Sequence, residues 1–158
     1  MKKERLQPSR SVAASRSQSG APGSLRARAS PARELAELRA RCGADLEILS
    51  GDDPTAADAM LAGATGVISV TANVAPRLMH ELCEAALGGD EAATRAIDAR
   101  LALLHRALFI ESNPIPSKWA LQQLGLIGPG IRLPLTPLTA SSHTPVREAM
   151  RAAGVPCV

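Results

Sequence analysis

A chain of 158 residues with 46% apolar side chains is long enough for one folded domain of ordinary size. Phe109 and Trp119 are its only aromatics, which favours an Ala- and Leu-rich helical core over a broad β-sandwich, and no run approaches the roughly 20 apolar residues of a membrane span. Residues 1–33 carry eight Lys or Arg against Glu4, a net of +7, leaving −4 for the other 125 residues of a chain whose total is +3. The positive charge therefore belongs to the tail and does not mark a nucleic-acid surface on the folded part.

Residues 1–30 are mostly Ser, Arg, Ala, Pro and Gly. They offer too little apolar surface to offset ordering entropy, so a disordered basic tail is expected. An organelle transit peptide or an RNA-binding arm has similar composition, but no apolar face supports the amphipathic helix a transit peptide needs. From Pro31 the character changes. "PARELAELRARCG" spaces Leu35 and Leu38 for a helix, with Gly43 as its stop. "DLEILSGDD" predicts a short strand at 46–49 ending in a Ser50-Gly51-Asp52-Asp53 turn, with Asp53 as N-cap and Pro54 as first residue of the next helix.

"GATGVISVTANV", residues 63–74, reads as a second strand at 67–70 that breaks into a polar loop. That is how a buried parallel strand delivers its loop to a ligand pocket. The two strands lie about 20 residues apart with a helix between them, the βαβ signature of a parallel sheet. A helix from Pro76 to Gly88-Gly89 follows, with Leu78, Leu82, Cys83, Ala86 and Leu87 as its inward stripe. Asp90 opens the longest helix, which lines Ala93, Ile97, Leu101, Leu104 and Leu108 on one face and pairs Glu91 with Arg95 outside. Helices at 116–124 and from Pro145 to about Ala153 close the chain. Two strands cannot build a parallel sheet covered on both faces, so the sequence reads as the end of an α/β protein whose beginning is missing.

Cys42, Cys83 and Cys157 have no CxxC spacing, and with His80, His105 and His143 they make no zinc pattern. No metal or cofactor is expected, and the thiols read as incidental in a reducing cytoplasm. The histidines fall on helices or in a loop with no serine or carboxylate partner evident, which argues against a catalytic triad.

"LSGDD", "GATGVISVTANVAPRLMHELCEAA", "LFIESNPIPSKWALQQLG" and "GIRLPLTPL" resemble, in order and spacing, the C-terminal part of the dihydrodipicolinate synthase (4-hydroxy-tetrahydrodipicolinate synthase) family, from about Leu35 to Val155. The resemblance implies a (β/α)8 TIM barrel followed by a C-terminal helical domain. It also implies condensation of pyruvate with aspartate semialdehyde, through a lysine Schiff base, in lysine (diaminopimelate) biosynthesis. The two strands would be the seventh and eighth, giving a basic tail at 1–30, a partial barrel at 31–88 and a helical domain at 89–158. Barrel sites sit at the C-terminal strand ends, and the resemblance places Ile68 against pyruvate through its backbone, with Gly51 beside it.

The Schiff-base lysine of that family would fall near Arg26 to Arg28, yet there is no lysine between Lys3 and Lys118 and no Tyr in the chain. An arginine stays protonated and cannot form the imine. Lys118, in "PIPSKWAL", falls in the helical domain and reads as structural. Asp52 and Asp53 could be a paired acid and base; a cap role for Asp53, with Asp52 as a pocket wall, is preferred. No catalytic residue is therefore assigned. The expectation is a truncated synthase, inactive alone and cytoplasmic, with no nucleic-acid or membrane partner, and with the family's homo-tetramer as its model of assembly. The alternatives are a non-catalytic partner that docks on a whole synthase or another half-barrel, and a basic-tailed binder of anionic surfaces.

Overall fold

The computed structural model describes residues 31–43 and 46–156. The expected tail at 1–30 lies outside them, as does Cys157. Helix α1 (Pro31–Cys42) ends at Gly43, whose φ of 85° closes the helix in the left-handed region open to glycine. Strand β1 (Leu49–Ser50) leads through a 3₁₀ turn (Asp53–Thr55) into α2 (Ala56–Leu61), then β2 (Gly66–Val67) and a second 3₁₀ turn (Thr71–Asn73). Four longer helices follow: α3 (Pro76–Leu87), α4 (Glu91–Ala107), α5 (Ile115–Gln123) and α6 (Ala140–Ala152).

The strands pair in parallel, Leu49 opposite Gly66 and Ser50 opposite Val67. They are shorter than the stretches expected at 46–49 and 67–70. Flanking bonds extend the ladder by one step each way, Thr65 N–H to Ile48 C=O at 2.8 Å and Ile68 N–H to Ser50 C=O at 2.8 Å. With a single partner per strand among the described residues, nothing holds the rest extended. Helices α2 and α3 pack on this pair, while Leu46, Leu49 and Ile68 stay exposed, Ile68 at 71%. Leu49, paired with Gly66, and Ile68, two residues beyond Gly66, share one face of the strand pair, and that face is open.

The core lies between the helices. Leu82 of α3, Leu101, Leu104 and Leu108 on or just past α4, and Val146 and Met150 of α6 are fully buried. Asp90 caps α4, its side chain accepting from Ala93 N–H, and Glu91 pairs with Arg95 at 3.5 Å as its spacing predicts. Arg95 also reaches Asp58 of α2, tying α4 to the βαβ unit.

Three local expectations are corrected. Leu87 is 56% exposed, and Met79 takes the inward place on α3 at 3%; a position one residue beyond Ala86 has already rotated out of the stripe. Helix α6 begins at Ala140 rather than Pro145. Glu111 anchors its start, accepting from Thr139 N–H at 3.1 Å and from the Thr139 hydroxyl at 2.6 Å, and Pro145 is carried inside the helix on an exposed face. Asp53 is not a helix cap. Asp52 takes the cap position, Asp53 is the first residue of the 3₁₀ turn, and its side chain turns inward to Val70 and Thr71 instead.

Candidate functional site

The parallel register puts the C-terminal ends of β1 and β2 side by side. Gly51 follows β1 directly and Ile68 follows β2 directly, and the Ile68 N–H to Ser50 C=O bond locks the two exits together. With its N–H committed to Ser50, Ile68 has its carbonyl free of any partner among the described residues. A Cβ built on Gly51 would meet nothing within 4 Å. The chain's own packing therefore does not require glycine there; close approach of something else to the backbone would.

Behind these exits lies a buried polar cluster that the spacing of the sequence did not reveal. Asp53 is 2% exposed and Thr71 and His105 are 0% and 1%. The Asp53 Oδ2 accepts from Val70 N–H at 3.0 Å, from Thr71 N–H at 2.9 Å and from the Thr71 hydroxyl at 3.0 Å. The Thr71 Oγ1 also lies 2.8 Å from His105 Nδ1. His105, expected to lack a partner, is thus joined through Thr71 to a carboxylate. The signal that could have found it is a polar residue on the apolar side of α4, between Leu101, Leu104 and Leu108.

Burial pushes the His105 pKa down from its ordinary value, opposed by the charges of Asp53, Asp98 and Asp52. Burial likewise raises that of Asp98, whose Oδ1 lies 3.9 Å from His105 Nε2, too long for a hydrogen bond. Asp52 is exposed and accepts from the Thr55 hydroxyl at 2.7 Å. The two aspartates are therefore separated by environment, one fastening backbone inside and one wet, and they do not form a paired acid and base.

Lys118 is half-buried on α5, beside Trp119, Pro137 and Leu138. Trp119 stacks on His143 with ring centroids 4.8 Å apart and carries Arg147 at 5.3 Å on its ring. His80 lies on the exposed side of α3 near Glu84. Cys42 is exposed and Cys83 half-buried, both free. Among the described residues no three His, Cys, Asp or Glu gather as metal ligands, and no helix is long and apolar enough to cross a membrane. A groove of about 520 Å3 between the start of α3 and the end of α6 is lined by Arg77, Glu81 and Arg100, but by neither Gly51 nor Ile68.

The model of the Dihydrodipicolinate synthetase family matches residues 24–153. The chain belongs to that family. It is 63% identical over 119 residues to the 4-hydroxy-tetrahydrodipicolinate synthase of Thioalkalivibrio sulfidiphilus, covering 75% of this chain and 40% of the relative. Among solved structures, the chloride-inhibited dihydrodipicolinate synthase of Acinetobacter baumannii complexed with pyruvate is 49% identical, with a TM-score of 0.74 over 78% of this chain and 42% of that one. The enzyme of Aquifex aeolicus gives 41% identity and a TM-score of 0.75, over 80% and 43%. The chain thus spans about two fifths of the length of the synthases it matches. Its parallel strands and helices are the C-terminal portion of the family's (β/α)8 barrel and helical domain, as the sequence resemblance implied.

Proposed function

We propose that this chain supplies the last two strands and following helices of a cytoplasmic 4-hydroxy-tetrahydrodipicolinate synthase, with Gly51 and Ile68 lining the pyruvate pocket. In this reading residues 31–88 are the barrel portion and 89–158 the helical domain. The observation that carries it is the locked pair of strand exits. They present a side-chain-free residue and an uncommitted carbonyl at the end of the sheet where barrel enzymes bind their ligands.

The chemistry of lysine biosynthesis at this step joins pyruvate to aspartate semialdehyde. A lysine amine adds to the pyruvate ketone and water leaves, giving an imine whose enamine form attacks the aldehyde. Gly51 and Ile68 can hold the bound pyruvate but cannot supply that amine, and Lys118 sits on α5 within the helical packing. These 158 residues by themselves are accordingly inactive, and the nucleophile comes from a lysine-bearing strand outside the part described. The open face at Leu49 and Ile68 is where that strand and its neighbours would pack, within a homo-oligomer.

The test is imine trapping. Pyruvate and borohydride should leave the mass of the 158-residue chain unchanged. Adding a chain that bears the preceding strands and the lysine should give product, with the reduced adduct on the added chain. In that pair Gly51→Ala should raise KM for pyruvate without altering the stability of this chain. A pyruvate adduct on Lys118 or on Lys2 or Lys3, with steady product formation, would overturn the reading.

A further inference from the structure

The pyruvate-side exits are built on Asp53, Thr71 and His105, and only the first two belong to the βαβ unit. His105 comes from α4, 34 residues beyond Thr71. Its ring is fully enclosed, and its Nε2 and the Asp53 Oδ1 are buried without a hydrogen-bond partner. A buried polar atom left unpaired is costly, so the arrangement around the other two atoms must be strongly set.

The proton positions follow from counting. Thr71 has one hydroxyl proton and two close neighbours, a carboxylate oxygen at 3.0 Å and an imidazole nitrogen at 2.8 Å. A carboxylate oxygen can only accept, so the hydroxyl donates to Asp53 Oδ2. The Thr71 Oγ1 must then accept, and His105 Nδ1 must carry the proton. The neutral ring is therefore in its Nδ1–H form, with the bare Nε2 facing Asp98 across 3.9 Å. From α4 the chain of donors runs in one direction: Nδ1–H to Oγ1, Oγ1–H to Oδ2, with Val70 and Thr71 N–H converging on the same oxygen.

We infer that His105 is a positioning residue for the synthase site: through Thr71 and Asp53 it fixes residues 68–71 and the Ser50–Asp53 turn against each other. The inference rests on the reading of Gly51 and Ile68 as pyruvate-facing for its functional consequence, but the relay itself does not. A mutation on α4 thus acts on a loop it does not touch. Asp53 supplies the reason. It follows Gly51 by two residues and holds the backbone two and three residues after Ile68, so any shift of its carboxylate moves both exits together.

Two readouts separate the relay from the function. In the full 158-residue chain with 15N-labelled histidine, long-range proton–nitrogen correlation should find one ring in the Nδ1–H form and lose it in His105→Asn. Amide exchange at Val70 and Thr71, compared with α6, should rise about tenfold in His105→Gln and in Thr71→Val. It should stay at the wild-type rate in His105→Asn, whose amide nitrogen can replace Nδ1, and in Thr71→Ser. A residue that merely fills space would be served as well by Gln as by Asn. In the reconstituted pair, His105→Gln should raise KM for pyruvate about tenfold, and His105→Asn should restore it. Wild-type exchange in both His105→Gln and Thr71→Val, or an Nε2–H ring, overturns the inference. So does an unchanged KM in a working pair. If no pair makes product, the functional reading falls, and the exchange and tautomer results still decide the relay.

Discussion

Replacing Asp53 with alanine is the most informative single perturbation, because its two roles differ in magnitude. As a helix N-cap its loss would cost about 1 kcal/mol. In the structure the carboxylate instead accepts three hydrogen bonds at 2.9–3.0 Å from a site 2% exposed. Alanine would leave the Thr71 N–H and hydroxyl without their acceptor in a fully buried position, and the Val70 N–H in a half-buried one. At about 1–3 kcal/mol for each stranded buried group, with Val70 partly rehydrated, the loss should be about 3–5 kcal/mol. That is a large share of the 5–15 kcal/mol typical of a whole domain. Asp52→Ala is the internal control: it removes one exposed contact with Thr55 and should cost about 0.5 kcal/mol or less. Asp53→Asn, which keeps one acceptor oxygen, should fall between. Urea unfolding followed by the fluorescence of Trp119, the chain's one tryptophan, measures all three. With a slope of about 1–2 kcal/mol/M, Asp53→Ala should lower the midpoint by about 2 M or more. A loss near 1 kcal/mol, or an Asp52→Ala loss of equal size, would refute the buried-acceptor account and return Asp53 to its cap role.

The remaining predictions concern acid, packing and the open face. Because burial depresses the His105 pKa below its ordinary value of about 6.5, the unfolded chain binds the extra proton more readily; its contribution is fully present above pH 6.5 and is lost as the pH falls below it. The urea midpoint should therefore drop between pH 7.5 and pH 5, and the part due to His105 should vanish in His105→Asn; an identical pH profile in that variant would contradict it. Leu82→Ala, at a fully buried position between α3 and α4, should cost about 2–5 kcal/mol in the same unfolding assay, and a loss below 1 kcal/mol would show that the helical core is looser than drawn. Leu49→Lys, on the exposed sheet face, should weaken association with the lysine-bearing chain in sedimentation experiments. Unchanged association would place the contact elsewhere.

The sequence by itself determined the order of the elements, the parallel βαβ unit, the Gly43 stop, the Asp90 cap with the Glu91–Arg95 pair, and the family. These are local matters: a glycine that reaches positive φ, a carboxylate three residues from an orphan N–H, an apolar stripe at helical spacing. The same local rules misplaced Asp53, since Asp-Pro before a helix is a sound cap signal until the chain folds back and offers Val70 and Thr71 as better donors. They also missed where α6 begins, which Glu111 decides from 28 residues away. His105 looked unpartnered for a similar reason. Its partner Thr71 is 34 residues upstream and is bound in turn to Asp53, and only the packing of α4 on the turns after β1 and β2 brings histidine and threonine to 2.8 Å. Hydrogen bonds within one turn of helix can be read from spacing. A buried carboxylate chooses its donors from whatever the tertiary fold presents, because in a site closed to water it must be satisfied there.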